Sequence, residues 1–175
     1  MLLPILSFPD PRLNIVAKPV TEVDKRISTL IADMLETMYE AKGIGLAATQ
    51  VDVHERLIVI DTSEERNQPL VLINPELTWK SEATHLNEEG CLSVPGIYDG
   101  VLRHDAVHVS ALDDKGQRQR IEAASSQDAG ISSEIDSIIT SDTDPGTKHQ
   151  QLAELEYRHA AAAELCEGHQ PQQRP

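Results

Sequence analysis

Gly43-Ile44-Gly45-Leu46-Ala47-Ala48-Thr49-Gln50, GIGLAATQ, is the stretch on which the fold of this chain turns. Its first six residues satisfy G-x-G-x-x-A, a variant of the dinucleotide fingerprint, and Asp61 stands roughly 20 residues on, where that motif places an acid. The fingerprint needs a strand before it and a helix after it. Here the order is reversed, as the flanking sequence shows. Two other readings stay open. Two glycines among small residues can make a tight turn with close packing. Alternatively, they let a ligand backbone approach while Gln50 presents an amide N–H₂ donor.

Upstream, Asp24 to Ala41 predicts a helix. Ile27, Leu30, Ile31, Met34, Leu35 and Met38 follow the i, i+3, i+4, i+7 rule, with Asp24 as N-cap and Gly43 as the stop. Downstream, three short apolar runs predict strands: Arg56–Asp61, Leu70–Asn74 stopped by Pro75, and Ala106–Leu112 followed by an Asp113–Gly116 turn. One helix with several short strands predicts an α+β class. At 175 residues the chain suits a single domain with a real core.

Composition narrows the function classes. A net charge of -14 gives no overall basic footprint for nucleic acid. No apolar run is long enough to span a membrane. Met1–Leu6 is short, is cut by Pro4 and lacks a basic flank, so it does not read as a signal peptide. The only two cysteines, Cys91 and Cys166, give no disulfide framework, and a cytoplasmic setting follows. Residues 121–175 carry ten acids against Lys148, Arg158 and Arg174, and are rich in Ser, Ala and Gln. The character of the chain changes near Arg120.

The second informative stretch is Glu88-Glu89-Gly90-Cys91-Leu92-Ser93. Alone, a free cysteine is more often a small hydrophobe than a ligand. GIGLAATQ followed some forty residues later by EGCLS, however, resembles the first two signature motifs of peptide deformylases. FPDPRL (8–13), AKPV (17–20), MLETMYE (34–40), LVLINPE (70–76) and AVHV (106–109) extend the likeness over residues 1–123. The resemblance implies an α+β fold with small antiparallel sheets packed on helices.

It also implies a chemistry. Family members remove the formyl group from N-formylmethionyl peptides during translation. They use a divalent metal, usually ferrous iron and alternatively zinc, held by one cysteine and by the two histidines of an H-E-x-x-H helix. By this likeness Cys91 is the metal's thiolate ligand. Gln50 (side chain) and Leu92 (backbone N–H) hold the oxyanion. Gly43, Ile44 and Gly45 line the substrate backbone. The glutamate of the third motif carries the proton.

That third motif is missing: nowhere does the chain read H-E-x-x-H. Family spacing from Cys91 puts its first position at Ser133, in Ser133-Glu134-Ile135-Asp136-Ser137. Glu134 and Asp136 stand in register with family strings such as H-E-M-D-H, but both histidine positions hold serine. A hydroxyl is a poor ligand for iron or zinc. The expectation is weak or absent metal and impaired activity, with Glu134 as the remaining catalytic carboxylate. The other histidines do not replace the pair. His104 and His108 lead into a strand, where residues four apart stand roughly 13 Å from each other. Cys166 and His169 lack a second pair of ligands, and His149, His159 and His169 are not neighbours on a helix.

The expected organisation is a deformylase-like domain over 1–123 and a divergent, polar, acidic tail over 124–175. That tail replaces the family's metal-binding and C-terminal helices. Degeneration, an altered reading frame, a fusion and a redesign all produce such a tail. It holds no basic helix for ribosome docking. The alternative function is a catalytically inactive peptide-binding module or a non-functional relic.

Overall fold

The computed structural model describes residues 1–124. Its one α-helix, α1 (Lys25–Glu40), starts where Asp24 caps it, the carboxylate accepting from Ile27 N at 2.9 Å. Ile27, Ile31, Met34 and Met38 form its buried stripe. Seven strands follow: β1 (Gly45–Ala47), β2 (Leu57–Ile60), β3 (Leu70–Lys80), β4 (Thr84–Cys91), β5 (Val94–His104), β6 (Ala106–Leu112) and β7 (Arg118–Ala124). They make a five-stranded antiparallel sheet in the order β1-β2-β3-β6-β7 and a separate hairpin, β4-β5. The α+β class with small antiparallel sheets is therefore observed. Among the described residues no helix is long and apolar enough to cross a membrane.

Every residue of β2 is buried, because the sheet has a core on each face. Leu57, Val59 and Ile73 join the α1 stripe, with Leu46, Ala48 and Val51. Ile58, Ile60 and Leu72 point the other way, to Val107, Val109, Ala111 and Ala123. Truncating a fully buried side chain such as Met34 to alanine costs about 2–5 kcal/mol. The sheet-to-helix core thus fixes β1, and with it the GIGLAATQ segment, against α1.

Two boundaries differ from the sequence expectation. Gly43 is not the left-handed residue that ends α1. Lys42 is, at φ 58°, with Lys42 N–H donating to Tyr39 O and Gly43 N–H to Met38 O. The glycine one place later packs under Leu92, whose Cδ1 would lie 2.7 Å from an added Cβ and would have to swing aside. Nor does Pro75 stop β3, which runs on to Lys80 through a register shift between Ile73 and Glu76. The missing N–H of Pro75 falls in that irregularity, where no ladder bond is lost. Asn74, at φ 52°, turns the chain there, and its side chain clasps Val20 N and Val20 O at 2.8 Å each.

The β4-β5 hairpin has no counterpart in the three strands expected. Its outward positions include Leu86, Tyr98 and Leu102, which are exposed, while Arg103 turns inward and is buried. That inversion hides the alternation a sequence reading depends on.

Candidate active site

The two motifs meet in space. Residues 48–51 form a short 3₁₀ turn after β1, and Gln50 sits on it. Its Oε1 accepts from Ala47 N at 2.9 Å. A backbone N–H only donates, so the amide carbonyl must face Ala47 and the N–H₂ must face away. Nε2 accordingly donates to Ser93 Oγ at 3.2 Å and to Cys91 Sγ at 3.7 Å. Cys91 ends β4 and is exposed.

The N-terminal segment ties both motifs down. Leu6 N donates to Gln50 O and Phe8 N to Ser93 O, each at 2.8 Å. The Leu92 side chain lies directly over Gly43. Just before Gly90-Cys91, Glu89 accepts both Arg103 Nε at 2.9 Å and Arg103 Nη2 at 2.8 Å. In this bidentate pair Arg103 is buried and Glu89 partly so, and removing either partner costs up to about 3 kcal/mol.

So Gly43, Ile44, Gly45, Gln50, Cys91 and Leu92 come from two motifs joined by these contacts. Glu134, the remaining expected catalytic residue, lies outside the described residues, as do Ser133, Ser137, Cys166, His149, His159 and His169. Ser93 was not singled out from sequence. A serine two places after a cysteine carries no pattern of its own, and only the fold brings its hydroxyl to Gln50.

The dinucleotide alternative fails on the same geometry. α1 precedes the glycines and, among the described residues, no α-helix follows them. Asp61 is 2% exposed and its carboxylate is occupied by Tyr39, Ser63 and Gln68, which leaves nothing for a ribose.

A family model described as polypeptide deformylase matches residues 2–140. Peptide deformylase 1 of Ralstonia nicotianae is 57% identical over 138 residues, covering 79% of this chain and 82% of that protein. This chain belongs to the polypeptide deformylase family. The peptide deformylase of Neisseria gonorrhoeae is 54% identical over the same length. Among solved structures, a peptide deformylase from Legionella pneumophila superposes with TM-score 0.72 at 37% identity, covering 91% of this chain and 98% of that one. One from Synechococcus elongatus, in complex with actinonin, gives 0.71 at 41%, covering 77% and 74%.

The deformylase family is one of metalloenzymes, so the donor set matters. Among the described residues no group of three or more His, Cys, Asp or Glu could hold a metal ion. Cys91 is the only expected ligand there. The described histidines are engaged elsewhere: His54 with Arg12 O, His85 with Asp105, His104 with Ser81 O, and His108 with Arg120. His104 ends β5 and His108 lies within β6, so their i, i+4 spacing does not make a chelating face. The described residues therefore do not fit a complete deformylase metal site.

Proposed function

We propose that this chain keeps the peptide-binding and oxyanion half of a peptide deformylase site while its metal half is deficient. Deformylation of N-formylmethionyl peptides in the cytoplasm, during translation, is then much reduced or lost. The carrying observation is Gln50 Nε2 directed at Cys91 and Ser93, with Ser133 and Ser137 standing where family spacing puts imidazoles.

In this reading Gln50 Nε2 and the Leu92 backbone N–H converge on a developing oxyanion. Gly43, Ile44 and Gly45 carry the substrate backbone, and Glu134 is the proton carrier. Cys91 offers a thiolate to ferrous iron or zinc, which binds weakly or not at all. The family-model match reaches residue 140 and so takes in the Ser133–Ser137 segment. In this reading residues 1–123 are the deformylase-like unit and 124–175 the divergent part, with the family match running on to residue 140 and no basic segment for the ribosome after it.

Metal analysis of the purified protein, together with turnover of a formyl-Met peptide, tests this. Stoichiometric iron or zinc with turnover like that of an active deformylase rejects it.

A second reading is a peptide-binding module without turnover. It is favoured by β1, which lies at the edge of its sheet and, among the described residues, pairs with β2 alone. A peptide can add to such an edge. Calorimetry with formylated and unformylated peptides separates the two readings, and absence of any binding leaves a relic.

A further inference from the structure

The buried carboxylate of Asp61 takes no part in the site described above, yet it accepts four hydrogen bonds. It accepts Ser63 Oγ at 2.6 Å, Tyr39 OH at 2.7 Å, Ser63 N at 3.0 Å and Gln68 N at 3.2 Å. Burial pushes its pKa up. The bonds from Ser63, Tyr39 and Gln68 outweigh burial and hold it below the usual carboxylate range, so Asp61 is ionised at neutral pH.

The loop that Asp61 organises has two further anchors. Asp61 N donates to Ile44 O at 2.8 Å. Arg66 Nη1 reaches Tyr39 O at 3.4 Å, and Nη2 reaches Lys42 O at 3.3 Å, at the exit of α1. One short loop, residues 61–68, therefore grips the chain on both sides of Gly43. β1 itself has only three residues and one partner strand among those described, too little to fix an edge by pairing alone.

We propose that Asp61 is a positioning residue: through the 61–68 loop it holds Gly43–Gly45 in the single geometry that receives a peptide backbone. The proposal rests on the substrate role given to Gly43–Gly45 above. A loosened edge must be ordered when a peptide binds, and that ordering lowers affinity. The carboxylate acts at a distance and touches no substrate.

Asp61→Asn tests it. Whichever way the amide turns, its N–H₂ faces a backbone N–H, of Ser63 on one side or Gln68 on the other. Hydrogen exchange should rise about tenfold or more in residues 43–47 and 61–68 but stay unchanged in β6, as a local opening predicts. Affinity for a formyl-Met-Ala-Ser peptide should fall about tenfold by calorimetry, equivalent to about 1.4 kcal/mol. Unchanged exchange at 43–47, or an equal rise across β6, overturns the proposal. If Asp61→Asn does not fold, Tyr39→Phe removes a single donor and should give the same local pattern at smaller amplitude. A wild-type protein that binds no peptide rejects the substrate reading, and the exchange pattern then decides the positioning role alone.

Discussion

Gln50 Nε2 points at Cys91 Sγ across 3.7 Å. One group leaves a 3₁₀ turn and the other ends a hairpin strand, and they are 41 positions apart. In the proposed reading this contact joins the oxyanion donor to the thiolate ligand. On that reading the metal half rests on residues 133–137.

Changing Ser133 and Ser137 to His together should therefore restore metal. The expected gain is from well below one iron or zinc per chain to about one, the content of a three-ligand site. Metal analysis measures it, with circular dichroism to establish that the variant is folded. A folded double variant that gains no metal refutes the Ser133–Ser137 register.

Gly43→Ala should destabilise the protein modestly, by about 1 kcal/mol, the low end of an overpacking cost, because only the end of the Leu92 side chain is in the way. The new Cβ would come 2.7 Å from Leu92 Cδ1. Leu92→Ala in the same chain should recover part of the loss, because it removes the obstructing atoms and leaves the backbone N–H in place. Denaturant unfolding of the two single variants and the double variant reads this. Strictly additive losses would mean that Leu92 is not the obstacle.

Lys42→Gly should stabilise by about 1 kcal/mol, the left-handed penalty of a residue with a Cβ. Lys42 holds φ 58°, and its contact with Arg66 is through the carbonyl, which glycine keeps. A rise in Tm of about 2–4 °C is expected for a chain of this size. A fall in Tm would place the benefit of Lys42 in its side chain.

Tyr39 should titrate at about 12, displaced from 10.0 by burial and by its bond to Asp61. A raised phenol pKa stabilises the fold fully below the unfolded value of 10.0, and this contribution is lost as pH rises through about 12. Asp61 works in the opposite sense. Its lowered pKa adds stability above 3.8 that disappears as pH falls below that value. Ultraviolet phenolate titration should show a transition near 12 that Tyr39→Phe abolishes. Its persistence in that variant would reassign the transition to another tyrosine.

Legibility from sequence varied with the strength of the local signal. α1 was legible almost to the residue, because Asp24 and a continuous apolar stripe are local signals. β6 matched its expected bounds for the same reason. β3 ran past Pro75 because a bulge excused the missing donor, and a bulge is a property of two strands. The β4-β5 hairpin was not legible, since its large apolar residues face outward. In the site, Gln50, Cys91 and Leu92 came from motif resemblance, whereas Ser93 and the Asp61 loop came from the fold.

The sequence by itself determined the α+β class, the helix, the pairing of GIGLAATQ with EGCLS, and the serines at 133 and 137. These depend on residue identity and spacing, which are local. Only the tertiary structure decided which way the Gln50 amide turns, that Leu92 packs over position 43, and what Asp61 holds. Each of those depends on a contact between segments far apart in the chain, and hydrogen-bond direction and steric room exist only once both sides are present.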